Sequence, residues 1–289
     1  MKTGFTFKGR HSDEFGLVMK TSSRPILPEM KSYTYESPLM DGVYDFSAAN
    51  SYGREFYRNR SFTLIMQVYA ENLAELQHKI SHISVWLTGR GELIFDDTPL
   101  VKWCASVLNG IDYAPEKYGR KAVLSVSFDV QPFSECIFDT ADGPALDMPI
   151  TLDTAIPIDT EAALTFGTNT INVTNCGTWY VRPTLIFDVS ESSGCFTNLS
   201  VECGGKQLSI GMVASSYNLK KIVIDLEKHT VKDGNGINLM KYVSGEFFEL
   251  APGKNTIKSA GNIAPFKTQV IYTPEFMYDF DADWGDESA

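Results

Sequence analysis

The sequence predicts a mainly β chain of two domains, the first of which carries one α-helix. Three observations carry this reading. Phe62, Leu64, Met66 and Val68 alternate with Thr63, Ile65 and Gln67, and Leu124, Val126, Phe128 and Val130 alternate with Ser125, Ser127 and Asp129. A period of two means a strand with one buried face. Only Leu73, Leu76, Ile80, Ile83 and Leu87 recur at the three- and four-residue spacing of a helix. After Phe133 the composition changes, and from residue 158 short apolar runs recur between Gly, Asn and Pro signals, the pattern of a β-sandwich.

The elements follow in order. Phe5-Thr6-Phe7 is a short strand, and Arg24-Pro25-Ile26-Leu27-Pro28 is an extended, Pro-bounded segment. Tyr33-Thr34-Tyr35 alternates as another strand. Residues 37–60 form a long polar and aromatic loop holding Tyr44, Phe46, Tyr52, Phe56 and Tyr57. Its aromatics argue for a contact surface rather than disorder. The helix over 73–87 has Asn72 as N-cap, Glu75 at the capping-box position and Gly89 at its end. Leu93-Ile94-Phe95 is a strand that turns at Asp96-Asp97-Thr98-Pro99. Residues 139–157, with four aspartates and three prolines, read as a linker and the start of the second domain. Expected strands there are Thr170–Val173, Thr184–Val189, Leu199–Cys203, Ile222–Leu226, Phe247–Leu250 and Gln269–Tyr272. Val223–Val231 reads as a strand that leads into the tight Asp233-Gly234-Asn235-Gly236 turn and a second strand, and Pro252-Gly253 sets another reversal before a third. The domains are therefore 1–138 and 158–275, joined by 139–157, with an acidic tail over 276–289.

Length and charge bound the function. A chain of 289 residues has room for one large or two ordinary cores. With 43% hydrophobic and 21% charged residues, the composition argues against disorder of the whole. A net charge of −11 disfavours sequence-wide attraction to nucleic acid. No run of eighteen apolar residues and no leader-like apolar core is present, so neither a membrane span nor a signal peptide is expected. The five cysteines, Cys104, Cys136, Cys176, Cys195 and Cys203, show no CxxC spacing and read as reduced thiols; a Cys195–Cys203 bridge is open but not required.

Catalytic patterns are absent. There is no G-x-S-x-G elbow, P-loop or dinucleotide fingerprint. His78 and His82 stand four apart on the helix, a spacing that can share a metal, but Lys79 occupies the metalloprotease glutamate position and both fall off the apolar stripe. They read as a solvated face. Asp279, Asp281, Asp283 and Gly285 hint at a calcium loop, but the glycine is one place late. Trp179, Tyr180, Tyr217, Tyr242 and Phe248 can be an aromatic sugar platform, although aromatics on strands are more often core. No catalytic, cofactor or metal residue is expected.

An ordered set of pieces carries a resemblance. Arg24-Pro25-Ile26-Leu27-Pro28 leads to Tyr33-Thr34-Tyr35 and Asp41-Gly42-Val43-Tyr44; Arg58 and Arg60 precede Phe62–Val68; Trp86-Leu87 is followed by Leu93-Ile94-Phe95-Asp96-Asp97. Asn175-Cys176-Gly177-Thr178, Pro183-Thr184-Leu185-Ile186-Phe187, Ile224-Asp225 and Leu250-Ala251-Pro252-Gly253-Lys254-Asn255 continue it. In this order they resemble phage distal tail proteins, the siphovirus-type tail component family, over roughly residues 3–275.

The resemblance implies a tail-tube-like β-sandwich or barrel with one helix, then a galectin-like or carbohydrate-module-like β-sandwich. It implies a non-enzymatic hub of a long non-contractile tail: a homohexameric ring at the distal end, joining the tail tube to the tail-tip or tail-associated lysin protein. Baseplate or receptor-binding proteins are further implied partners. Such a chain is made in the host cytoplasm and resides in the virion. The alternative is a lectin-like module that binds the host surface. A ring must bury surface between copies, and Tyr, Phe and Arg are the usual anchors. Asp41, Tyr44, Phe46, Tyr52, Arg54, Phe56 and Arg58 are therefore the expected interface residues.

Overall fold

A computed structural model of the chain describes residues 4–39, 41–50, 52–107, 110–116, 120–137, 170–189, 194–211, 217–262 and 266–278. The chain divides into two compact units: one runs to Glu135 and takes in Met277 and Tyr278, the other runs from Cys136 to Phe276. The expected linker over 139–157 and the tail beyond Tyr278 lie outside the described residues.

The first unit contains β1 (Phe5–Phe7), β2 (Arg10–His11), β3 (Leu17–Ser23), β4 (Thr34–Tyr35), β5 (Tyr44–Asp45), β6 (Arg60–Tyr69), α1 (Leu73–Leu87), β7 (Arg90–Phe95), β8 (Thr98–Val107), β9 (Asp112–Pro115) and β10 (Lys121–Val130), and ends in β11 (Ser134–Cys136). Its main sheet runs β2-β1-β7-β8-β10-β6-β3, with β9 beside β10 and β11 beside β8. The two strands with the clearest alternation form its spine: β6 and β10 pair antiparallel over ten residues, from Arg60↔Val130 to Tyr69↔Lys121. In that register Phe62, Leu64, Met66 and Val68 share one face with Phe128, Val126, Leu124 and Ala122, and all eight are buried.

Helix α1 seals that face. Asn72 accepts a hydrogen bond from the Glu75 N–H at 2.9 Å, the expected N-cap. The capping box does not close as expected: the Glu75 carboxylate accepts from the N–H of Glu71 at 2.8 Å, one residue before the cap. At the other end the Thr88 hydroxyl donates to the Ser84 carbonyl at 2.7 Å. Leu76, Ile83, Trp86 and Leu87 are buried, whereas Ile80 is only partly covered at the edge of the core. Trp86 stacks on Phe15 (4.2 Å between centroids) and Phe5 (5.6 Å), and its indole N–H donates to the Phe7 carbonyl at 2.9 Å.

The second unit contains β12 (Thr170–Asn175), β13 (Thr184–Asp188), β14 (Leu199–Cys203), β15 (Lys206–Ile210), β16 (Lys221–Asp225), β17 (Thr230–Asp233), β18 (Val243–Gly245), β19 (Gly253–Gly261), β20 (Lys267–Ile271) and β21 (Glu275–Phe276). Two sheets, β12-β19-β14-β15-β18 and β17-β16-β13-β20, share one core that includes Phe187, Phe196, Leu199, Ile224, Phe248 and Ile257. This is a sandwich of alternating strands.

Two expected elements differ. The Val223–Val231 run is not one strand: it folds back at 226–229 into the β16–β17 hairpin, with His229 at φ +50° and the Lys228 N–H on the Asp225 carboxylate at 2.8 Å. Phe247–Leu250 is not a strand either. Phe248 and Leu250 are buried, but among the described residues the segment's strand-type pairing is a single bridge between Leu250 and Val181, beside the Arg182–Glu249 ion pair. An apolar run of this length cannot distinguish a ladder from a buried crossing.

Turn chemistry explains two of the pieces that carried the resemblance. The buried Asn175 accepts from the Gly177 N–H at 2.9 Å and donates to the Trp179 carbonyl at 2.8 Å. A Cβ on Gly177 would lie 2.4 Å from the Glu275 carbonyl oxygen, so glycine is required there. Asn255 closes the Pro252-Gly253 turn, accepting from the Ala251 N–H at 2.9 Å and donating to the Ala251 carbonyl at 2.7 Å.

The uneven burial along α1 makes a prediction. Leu76→Ala should destabilise the first unit by about 2–5 kcal/mol in denaturant titration, and Ile80→Ala by clearly less, about 1 kcal/mol. Equal losses at the two positions would mean that the helix face is assigned wrongly.

Candidate interface

Between β3 and β6 the chain makes an excursion over residues 24–59. The sequence suggested a loop after residue 37. The structure instead pairs that stretch with the residues preceding it in a two-stranded ribbon. The Arg58 N–H donates to Glu29 O and the Lys31 N–H to Phe56 O, both at 2.7 Å, and the Phe46 N–H donates to Tyr33 O at 2.8 Å. Thr34 then faces Asp45, and Tyr35 faces Tyr44. Residues 47–50 and 52–55 loop out of the returning limb.

The register has a direct consequence. Directly opposed residues in an antiparallel pair project to the same side, as do residues two apart. Tyr35 opposes Tyr44 and Tyr33 opposes Phe46, so all four rings stand on one face of the ribbon. They are 60%, 53%, 62% and 53% exposed, respectively. Tyr44 and Phe46 lie 6.2 Å apart. Val43 and the tip residue Leu39 are exposed as well, and so are Ile26 and Leu27 at the root. Ser47 is buried and pins the ribbon: its hydroxyl accepts from the Tyr33 N–H at 3.1 Å, and its own N–H donates to Asp45 at 2.8 Å. Hydrogen bonds from the Ser47 hydroxyl and N–H hold the Asp45 carboxyl below the usual carboxylate range.

The root is fixed more strongly than the tip. Arg24 forms a two-pronged ion pair with Asp97 and lies 4.3 Å from the centre of the Phe95 ring. The Arg24 hydrogen bond lowers the Asp97 carboxyl. Asn59 donates to Asp129 at 2.7 Å, and Tyr57 meets Phe133 edge-on at 5.8 Å. Arg60, at the start of β6, is 3% exposed. Its guanidinium donates to the carbonyls of Pro25 (3.0 Å), Ile26 (2.6 Å), Pro132 (2.8 Å) and Met277, and lies 5.0 Å from the Trp103 ring centre. Burial pulls its pKa down to about 10, so it stays charged at neutral pH.

The seven residues expected at an interface separate into kinds. Tyr44 and Phe46 lie on the exposed aromatic face. Tyr52, Arg54 and Phe56 pack on one another in the looped-out stretch: the two rings meet edge-on at 6.2 Å, and the Arg54 guanidinium lies 4.7 Å from the Phe56 centre and 5.9 Å from that of Tyr52. Arg58 faces Glu29 at 3.8 Å, and Asp41 is exposed at the tip. Sequence reasoning missed Tyr33 and Tyr35 as members of the face; the signal was their alternation together with an aromatic pair at 44 and 46.

Elsewhere the chemistry stays dispersed. Among the described residues no group of three or more His, Cys, Asp or Glu is placed to hold a metal. The candidate sugar platform does not assemble as a set: Trp179 and Tyr180 form one edge-on pair, Tyr217 and Tyr242 another under Lys241, and Phe248 is buried in the core. None of the five cysteines is in a disulfide, and burial with the nearby Cys136 thiol pushes the Cys176 thiol up to about 11.

Comparison with known proteins bears on both units. The phage tail protein RIFT-related domain matches residues 14–130, and the siphovirus-type tail component, C-terminal domain, matches residues 176–276. No curated protein sequence matches. The fold is similar to the crystal structure of SPP1 Dit, described there as a paradigm of hub adsorption apparatus in Gram-positive infecting phages: 13% identity, TM-score 0.69, covering 95% of this chain and 99% of that one. A chain of the phage P2 baseplate in its activated conformation with Ca aligns at 10% identity over 94% of this chain and 98% of that one, with a TM-score of 0.42. Matched in both halves, in the order that its own motifs suggested, the chain belongs to the siphovirus-type tail component family, the phage distal tail proteins.

Proposed function

We propose that this protein is a structural hub of the tail tip of a long-tailed, non-contractile phage, in which six copies close into a ring and the ribbon of each copy lies against its neighbour. The ring joins the tail tube to the tail-tip or tail-associated lysin protein, and the second unit is the outer attachment point for baseplate or receptor-binding proteins. The role is non-catalytic. Family membership and the likeness to the SPP1 hub protein support the tail assignment.

The aromatic face of the ribbon is the observation that carries the contact. Four rings more than half exposed leave on the order of 400 Å² of apolar surface on one small face, as much as a typical monomer leaves in its largest patch. Covering that area is favourable by about 10 kcal/mol before the cost of association. Tyrosines are common anchors of protein interfaces. A closed ring lets every copy cover this face with the same patch of the next, and a heterologous contact closes only if the rotation fits. The Tyr52–Arg54–Phe56 cluster already satisfies itself within the chain, so it contributes less than the four-ring face.

The full-length protein should form six-fold rings in negative-stain images and sediment as one species well above the monomer. Replacing Tyr35, Tyr44 and Phe46 together with Ser should leave the circular dichroism melt within a few degrees of the parent but shift the protein to monomer. Replacing Tyr52, Arg54 and Phe56 with Ala should weaken the ring less. A parent protein that stays monomeric at tens of micromolar, or a Ser triple variant that still forms normal rings, would overturn this reading.

A further inference from the structure

We propose that the exposed face of α1 carries a two-histidine chelate for a borderline divalent cation such as Zn²⁺, formed by the Nε2 atoms of His78 and His82. The two residues stand one helical turn apart, both exposed, with Nε2 to Nε2 3.4 Å, ring centroids 4.4 Å apart and ring planes at 64°. The distance is long for a good N–H hydrogen bond, which falls at about 2.7–3.2 Å. It matches the edge of a tetrahedral zinc site: two Zn–N bonds of about 2.0–2.1 Å at the tetrahedral angle set their nitrogens about 3.3–3.4 Å apart. The pair therefore presents two nitrogens at the spacing of two corners of such a site, and a small turn of the exposed rings aims both at one ion.

The neighbouring side chains leave the position open. On α1, Lys79 is the only cation within one turn of the pair, and its ammonium is held by Glu75 at 2.8 Å and the Tyr69 carbonyl at 2.9 Å. Both Glu75 oxygens are engaged, one by Lys79 and one by the Glu71 N–H. Glu75 is thus not a third ligand, and the remaining corners fall to water. Ala74, Ser81 and Val85 complete the surrounding face and bring no charge. Two imidazole nitrogens with water suit zinc, nickel or copper rather than magnesium or calcium. The fit could not be read from the sequence, where spacing alone left the pair as a solvated face; the ring geometry adds the second observation. The inference is independent of the ring.

Zinc chloride titrated calorimetrically into the full-length protein, in a buffer that does not bind metal, tests it. The parent should bind one zinc per chain at this site. His78→Gln and His82→Gln should each lower that affinity at least tenfold, because the chelate is lost and one imidazole remains, and the double variant should show no binding at this site. Both residues are exposed, so circular dichroism melts should be unchanged. No zinc binding by the parent overturns the proposal, as does parental affinity retained after either single substitution, which would locate the metal elsewhere.

Discussion

The buried guanidinium of Arg60 organises the first unit. It opens β6, the strand with the longest pairing among the described residues, and its hydrogen bonds go to carbonyls. Burying a charge this way costs free energy, seen in the fall of its pKa to about 10. Four carbonyl acceptors and the Trp103 ring offset that cost. Only arginine presents several donors in a flat fork that can meet acceptors on different segments while stacking on a ring. Those segments are the outgoing root of the ribbon at Pro25 and Ile26, the corner after β10 at Pro132, and the returning chain at Met277. One side chain thus binds three places that the sequence keeps far apart.

The ribbon inherits its definition from that root. Its own ladder is sparse, and each exposed backbone hydrogen bond adds only about 1 kcal/mol. An isolated two-stranded hairpin is marginal in water. Arg24 on Asp97, Asn59 on Asp129 and Tyr57 on Phe133 add further anchors at the same end. The outcome is an arm rigid at its base that displays four aromatic rings on one side. A protein that worked alone would gain nothing from such a face, whereas one that works as a repeated assembly can cover it.

How far the sequence revealed this follows physical lines. The spine strands and α1 were legible because alternation and a 3.6-residue period are local signals, and Asn72 marks the helix start. The aromatic content of residues 44–56 was legible, but not the exposed face itself, since it depends on Tyr35 meeting Tyr44 across the tip, a register no local pattern encodes. For the same reason Tyr52 and Phe56 looked equivalent to Tyr44 and Phe46 although they pack on Arg54. Arg60 was visible only as a basic residue before a strand. In the second unit, the run through His229 hid a hairpin because its turn contains no glycine, and Phe247–Leu250 imitated a strand because burial alone selects the same residues.

The claim that Arg60 fixes the ribbon is tested most directly by amide hydrogen exchange in the Arg60→Met variant, which keeps the bulk and removes every donor. The account predicts that the Lys31 and Arg58 amides, which bridge the two limbs near the root, exchange at least tenfold faster, while the β6–β10 ladder keeps its protection. Exchange at Lys31 and Arg58 that is unchanged, or that rises only in step with β6 and β10, would contradict it.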